Sequence, residues 1–416
     1  MAASREFDIV LYGATGFVGK LTAEYLADVG GARIALAGRS PEKLRAVRDT
    51  LGESAQSWEL ITADATKPST LDAMAARTQV VITTVGPYNR YGLPLVAACA
   101  AAGTDYADLT GEPMFMRESI DHFHKQAIDT GARIVHACGF DSIPSDLTVH
   151  ALYRQVTADG EGELTDTTLV VRRMAAGLSG GTVASMADVV RAMSSNPETK
   201  RQLEDPYTLT TDRSAEPEFG AQPDFPWRRG RQIAPELDGY WTSGFMMAAT
   251  NTRVVRRTNA LQGWAYGRRF RYSECQSLGS SAVAPVASAV AAGIGAVATG
   301  LGGRYLHAVP EKVVERILPK PGSGPSERTR ERGHYTVETY TTTTTGARYR
   351  ATMSQKGDPG YKATSVLLGE SGLALALDRD QLSDLRGVLT PAAAMGDALL
   401  ARFPAAGVSL VTTRLN

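Results

Sequence analysis

The chain carries little that would draw it to a polyanion or build it around a metal. Its 44 Lys plus Arg balance 44 Asp plus Glu, so no net field pulls it toward nucleic acid. Three cysteines, Cys99, Cys138 and Cys275, are widely spaced with no C-x-x-C. That excludes a zinc knuckle and a disulfide framework and leaves buried free thiols as the expectation. No H-E-x-x-H occurs, which removes the commonest zinc-protease motif. Strongly apolar runs are missing too. Cys275 to Gly303 is uncharged and long enough to span a bilayer, but its core from Ala282 to Leu301 is rich in alanine and glycine and poor in the leucine-type residues that drive insertion. The N-terminus enters a strand pattern at once, with no signal-like segment. A cytoplasmic protein is the expectation, with peripheral contact at the inner face of the plasma membrane through 282–303 as the variant.

What is present is strand–helix alternation organised around one stretch. Phe7 to Tyr12 is a short apolar run, Gly13-Ala14-Thr15-Gly16-Phe17-Val18-Gly19 is a glycine-rich turn, and Val18, Leu21, Tyr25 and Leu26 follow at helix spacing. The glycines fall as G-x-x-G-x-x-G. Strand, turn and helix in that order bring backbone N–H groups and a positive helix end to one point, which suits a dinucleotide diphosphate. A tight turn without a ligand is the competing reading. Arg33 to Ser40 predicts the second strand, at whose end a dinucleotide fold tests the adenosine ribose. An NAD site would place Asp or Glu there. This chain offers Arg39 and Ser40, with Lys43 one turn into the next helix, a set that suits a 2′-phosphate and favours NADPH. A solvated loop charge is the alternative for Arg39. Ser40-Pro41-Glu42-Lys43 is also a helix start. A third strand, Trp58 to Ala63, ends in Asp64, which is either an adenine contact or a turn former.

Gln79 to Val85 predicts a fourth, buried strand ending in Gly86-Pro87-Tyr88. Its loop lies over the carboxyl ends of the strands, where ligands bind in open α/β sheets. Val85, Gly86 and Pro87 are therefore cofactor candidates, and Tyr88 and Tyr91 site candidates. Thr104 to Leu109 and Ala132 to Cys138 predict two more strands, followed by Thr110-Gly111-Glu112 and by Gly139 to Asp146. About 145 residues of this alternation give an α/β, doubly wound parallel sheet.

These pieces together resemble the saccharopine dehydrogenase-like oxidoreductases. The resemblance rests on Gly13 to Gly19, Ala37 to Ser40, Val85 to Tyr88, Asp105-Tyr106-Ala107-Asp108-Leu109-Thr110-Gly111-Glu112 and Cys138-Gly139-Phe140-Asp141-Ser142-Ile143-Pro144-Ser145-Asp146. It is closer still to an actinobacterial branch, the trans-acting enoyl reductases that serve polyketide synthases making phthiocerol-type lipids. Asp205-Pro206-Tyr207-Thr208-Leu209, Gly333-His334-Tyr335-Thr336 and Gly387 to Gly396 extend that likeness over nearly the whole chain. It implies a Rossmann domain over 1–150, an inserted α+β domain over 151–360 and C-terminal helices over 361–416 packing back on the first domain. The residues agree: Thr364 to Ala376, interrupted by Gly369 and Gly372, and Pro391 to Phe403 predict helices, and Gly346 would turn a hairpin between Tyr335–Thr345 and Ala347–Met353.

The resemblance implies NADPH-dependent reduction of an α,β-unsaturated acyl thioester, presented by an acyl-carrier domain of a polyketide synthase or by CoA. Tyr88 is the first candidate for acid or oxyanion donor. Tyr106, Asp108, Glu112 and Asp141 come next, each with a competing role in the core, as cap or turn former, or as a loop charge. His136 reads as a satisfied core histidine. No Tyr-x-x-x-Lys occurs at any of the 15 tyrosines, which argues against the short-chain reductases. Two alternatives stay open: C–N chemistry on an amino acid, as in saccharopine metabolism, and a non-catalytic NADP(H)-binding, lipid-associated scaffold. A homodimer is a further expectation.

Four features of the middle of the chain remain. Ser179-Gly180-Gly181-Thr182 opens a predicted helix and overlaps a G-x-S-x-G at Gly177 to Gly181, read as a glycine-assisted cap rather than a nucleophile elbow. Leu203 to Arg231 reads as a long connection of the kind that forms lids. Nine arginines, at 228, 229, 231, 253, 256, 257, 268, 269 and 271, face only Glu236 and Asp238 between Arg228 and Arg271. They predict either a docking face for an acidic carrier domain or the solvated sides of strands. The uncharged stretch 275–303 reads as core packing, as the cover of an acyl tunnel, or as the membrane contact named above.

Overall fold

The computed structural model describes residues 5–175, 196–220, 222–224, 228–281, 283–285, 288 and 325–416. The helix start at Ser179–Thr182, the G-x-S-x-G and most of 282–303 lie outside the described residues.

Seven parallel strands form the first sheet. They are β1 (Phe7–Tyr12), β2 (Ile34–Gly38), β3 (Glu59–Thr62), β4 (Thr78–Thr83), β5 (Asp105–Ala107), β6 (Arg133–Val135) and β12 (Gly387–Leu389), in the order β12-β6-β5-β4-β1-β2-β3. The order reverses between β1 and β4, and a crevice at such a switch point is where a dinucleotide sits. Side chains of β1 alternate between two cores. Ile9 and Leu11 meet Leu26, Leu367 and Leu373 on one face. Val10 and Tyr12 meet Leu71, Val96 and Phe115 on the other. A period of two that is apolar at every position is the pattern of a strand covered on both faces. Helices α1 (Phe17–Val29), α2 (Pro41–Arg48), α3 (Pro68–Ala75), α4 (Tyr88–Tyr91), α5 (Leu93–Ala102) and α6 (Pro113–Thr130) join these strands.

Helix α7 (Ile143–Asp159) carries the chain into a second, six-stranded sheet. Its strands are β7 (Leu164–Ala175), β8 (Trp241–Gly244), β9 (Arg271–Gly279), β10 (His334–Thr343), β11 (Arg348–Lys356) and β13 (Val408–Arg414), in the order β13-β11-β10-β7-β9-β8. Strands β7 and β9 are parallel and the other pairs antiparallel. Gly346, at φ 89°, turns the β10–β11 hairpin.

The C-terminal segment carries two strands besides the expected helices. Helix Thr364–Leu377 does return to the first sheet, but β12 then extends that sheet and β13 pairs along β11 as an edge of the second. Strand-forming Val388, Leu389 and Val408 are buried in these two places. Gly369 and Gly372 are no interruptions of that helix. A Cβ at Gly372 would lie 2.1 Å from Ile82 Cδ1, and one at Gly369 2.6 Å from Tyr25 Cδ1. The glycines let the helix close down on β4 and α1, so packing outweighs their low helix propensity.

The arginine run is no single docking face. Arg253, Arg256 and Arg257 are buried on helix Ala248–Leu261. Their guanidiniums donate to the carbonyls of Leu203, Pro206 and Leu209, and that of Arg257 also to Val388 O. Arg117 Nη1 adds a bond to Thr208 O at 2.7 Å. Residues 203–209 are therefore strapped down, and Tyr207 to Thr210 are buried, which is no free lid. Burial, with the charge of Arg117 nearby, pushes the Arg257 guanidinium down to about 9 against the pull of Asp121. The other arginines separate. Arg229 bridges to Trp241, which pairs with Gly279 at one end of β9, and Arg271 begins the other end, about 26 Å away at strand rise.

Candidate active site

The glycine turn is built by contact as much as by conformation. Gly13 sits at φ 91°, and a Cβ there would lie 2.7 Å from Val85 Cγ2. A Cβ on Gly19 would lie 2.2 Å from Gly13 O. Thr84 Oγ1 donates to Gly13 O at 3.1 Å, tying the loop after β4 to the turn. Gly16 caps α1 with no side-chain hydrogen bond, and no acidic residue stands in the first helical turn. The helix thus presents its N-terminal dipole with no competing carboxylate. Ala14 is buried, while Thr15, Phe17 and Val18 are half-buried. The Phe17 ring meets the Tyr361 ring edge-on at 4.9 Å.

At the end of β2, Arg39 is exposed, with no hydrogen bond or ion pair among the described residues. Ser40 Oγ accepts from Lys43 N at 3.3 Å and donates to Glu42 at 2.9 Å, so its hydroxyl caps α2. Lys43 is exposed one turn along. The Asp64 carboxylate accepts from Thr66 N at 3.0 Å and Thr66 Oγ1 at 2.9 Å. Those bonds hold it below the usual carboxylate range, and Arg39 adds to the effect. Asp64 is therefore a turn former in this structure. A cradle that a Cβ would fill, an uncapped helix end and a free guanidinium at the ribose position together fit NADPH.

The loops after β4, β5 and β6 rise beside this turn. The Gly86-Pro87 bond is cis, and Val85 N donates to Thr83 Oγ1 at 3.2 Å. Glu112 is buried and accepts from Tyr88 N at 3.1 Å and Asn89 N at 2.8 Å, capping α4. Tyr88 is 5% exposed. Its hydroxyl donates to Thr83 O at 3.2 Å and accepts from Leu109 N at 3.4 Å, and burial raises it well above the usual phenol range. That hydroxyl is spent on two loops, so the structure places the first candidate donor in the scaffold. Tyr106 is fully buried and donates to Asp108 Oδ2 at 2.8 Å. The Asp108 carboxylate also holds His136 Nδ1 at 2.7 Å, Thr110 N at 3.1 Å and Ala137 N at 3.0 Å. His136 Nε2 meets Ser119 Oγ at 2.8 Å, the satisfied core histidine expected. Tyr106, Asp108 and Glu112 are all framework. Tyr91 is exposed on α4.

Asp141 differs from all of these. It sits after β6, between two residues that are held. Phe140 N donates to Thr364 Oγ1 at 3.0 Å, and Ser142 Oγ donates to Asn251 Oδ1 at 2.8 Å. The Phe140 ring packs on Tyr335 of β10 at 4.6 Å. Asp141 itself is half-buried and has no hydrogen-bond partner among the described residues. Burial alone pushes its carboxyl up to about 6. Desolvation without a compensating donor is what favours the protonated acid.

Asn251, Glu274 and Thr364 carry no motif and were not legible as site residues. Glu274 had one signal, the strand parity that places Phe270 and Tyr272 inside. Among the described residues no cluster of His, Cys, Asp and Glu could hold a metal, and all three cysteines are buried and free. No described helix is long and apolar enough to cross a membrane.

Residues 9–135 match the saccharopine dehydrogenase NADP-binding domain. A trans-acting enoyl reductase of Mycobacterium bovis (strain BCG) is 67% identical over 100% of this chain and 99% of its own. One from Mycobacterium ulcerans is 64% identical over the whole of both chains. A protein of Mycobacterium tuberculosis (strain H37Rv) named provisionally as a trans-acting enoyl reductase is 72% identical over 100% of this chain and 99% of its own. The chain belongs to the trans-acting enoyl reductase family. It is an NADP-dependent oxidoreductase on a saccharopine dehydrogenase-like fold. The fold is that of apo saccharopine dehydrogenase (L-Glu forming) from Saccharomyces cerevisiae, at a TM-score of 0.51 and 14% identity over 98% of this chain and 99% of that one.

Proposed function

We propose that the protein reduces the carbon–carbon double bond of an α,β-unsaturated acyl thioester, with Asp141 as the proton donor to the α-carbon. Bound NADPH supplies the hydride that the β-carbon receives. The chain's own part is to hold the diphosphate at Gly13 to Val18, to read the 2′-phosphate with Arg39 and Lys43, and to keep an acid of raised pKa beside the reacting carbons. The observation that carries this reading is Asp141. Of the acids and phenols nominated on the loops after β4, β5 and β6, it has no partner among the described residues, and its pKa of about 6 lies near neutrality. A proton donor works best when its pKa is close to the working pH. The same loops, Val85–Pro87, Leu109–Glu112 and Gly139–Ser142, carry no lysine or arginine. A substrate with several carboxylates would need such cations, so this supports the thioester over an amino acid.

The substrate chain is presented on a carrier domain of a polyketide synthase, in the cytoplasm. Support for this comes from the family alone. The test is NADPH oxidation with 2-enoyl thioesters on CoA and on an isolated carrier domain, beside a panel of 2-oxo acids with amino acids. Turnover confined to the second panel overturns the reading. Asp141→Asn should lower kcat by about 10²–10³-fold with NADPH affinity unchanged, the range of a general acid. Tyr88→Phe should retain turnover and lose about 1 kcal/mol of stability, the size of one buried hydrogen bond. The reverse pattern would restore Tyr88 as the donor.

A further inference from the structure

A buried polar chain runs from the Asp141 loop across the seam between the sheets. Ser142 Oγ donates to Asn251 Oδ1 at 2.8 Å, Asn251 Nδ2 donates to Glu274 Oε2 at 3.0 Å, and Tyr272 OH donates to Glu274 Oε1 at 2.8 Å. Ser145, on the first turn of α7, stands against the same carboxyl. Ser142, Asn251 and Glu274 have no exposed surface at all. They come from three separate places: the loop after β6, helix Ala248–Leu261, and β9 of the second sheet. An acid at the centre of a domain seam is expensive to bury unless every oxygen is bonded, and here both oxygens are.

The polarity of the chain fixes its geometry. Glu274 Oε2 accepts from the amide nitrogen of Asn251, so that amide turns its oxygen toward Ser142. The Ser142 hydroxyl is then obliged to donate to Asn251. With Phe140 N held by Thr364 on the other side, Asp141 is clamped by both neighbours while its own carboxyl has no partner among the described residues. We propose that Glu274 is a positioning residue for Asp141, acting through Asn251 and Ser142 across the seam between the two sheets. The proposal rests on the reading of Asp141 as the proton donor. It makes the second sheet part of the catalytic geometry, since the acid of the first domain is aimed from β9.

The test is a cycle of Ser142→Ala, Glu274→Ala and the double variant, assayed as full-length enzyme with NADPH and an enoyl thioester. Loss of either end should lower kcat by roughly tenfold to a hundredfold, the sensitivity of a reaction to misplacement of about 1 Å. NADPH dissociation constants should not change. The double variant should lose no more than the worse single one, because both cut the same chain. Glu274→Gln should restore most of the turnover, since the glutamine amide can donate to Asn251 once that amide flips, and the chain closes with reversed polarity. In an Asp141→Asn background neither alanine should matter further. Full additivity, or a fall in melting temperature with kcat and its pH profile unmoved, would overturn the proposal and leave Asp141 standing as donor. Full turnover by Asp141→Asn would instead bring down the reading of the donor. Should Glu274→Ala fail to fold, Ser142→Ala removes one hydroxyl at the near end and reads the same link.

Discussion

The cofactor end of the site is set by backbone contact and by one positive charge. Gly13 and Gly19 meet their neighbours too closely for any side chain, and Arg39 stands free at the end of β2. Arg39→Ala is accordingly expected to weaken NADPH binding by about 10–100-fold, the worth of a charge-assisted bond, and to leave NADH binding unchanged. Tryptophan fluorescence quenching on titration with each cofactor reads this directly. An equal loss for both would return Arg39 to the status of a solvated charge. The proton donor was much less legible. Tyr88, Tyr106, Asp108, Glu112 and Asp141 all lie at or just beyond the ends of β4, β5 and β6, and sequence position cannot show which hydroxyl or carboxyl is already bonded. Three-dimensional partners remove four of the five. Asp141 stands out as a half-buried carboxyl with no donor among the described residues.

Elements were legible in kind and misread where tertiary contact overrides local preference. The strands of the first sheet follow from their apolar runs and glycine boundaries. Helix Thr364–Leu377 contains two glycines that read locally as breaks, yet each is a point of closest approach. Gly372→Ala tests which effect governs. Helix propensity would gain about 1 kcal/mol, but the new Cβ would lie 2.1 Å from Ile82 Cδ1, and overpacking of a tight core costs about 1–3 kcal/mol. The expected outcome is a lower melting temperature; a rise would mean that Ile82 can yield. Helix Ala248–Leu261 was opaque for the same reason. Arg253, Arg256 and Arg257 look like surface charge in the sequence, but the carbonyls of 203–209 that absorb them come from a segment about fifty residues earlier. No local pattern records that pairing.

At the scale of the whole molecule, the chain enters the second sheet through α7, returns to the first with β12, and ends in the second with β13. The resemblance carried the insertion but not this final exchange, because strands as short as Gly387–Leu389 have too few residues to show a period. One consequence of packing two sheets together is a seam that traps acids. Asp141 and Asp146 are each pushed up to about 6, and Glu274 to about 7, with burial the first cause in all three. Glu274 holds its proton in the folded state up to about pH 7, whereas the unfolded side chain releases it near 4.5. The folded state therefore binds more protons across that window. The contribution to stability is fully present below about pH 4.5 and is lost as pH rises through 7, on the order of 3 kcal/mol for a shift of this size. Acids such as Asp8 and Asp205, held below their usual range by Arg33 and Arg213, act in the opposite sense at lower pH. The difference between wild type and Glu274→Gln isolates the seam. In urea denaturation the variant should gain on wild type as pH rises from 5 to 8, because a glutamine has no proton to lose. A constant difference across that range would mean that Glu274 stays ionised in the fold, held by Asn251, Tyr272 and Ser145 strongly enough to offset its burial.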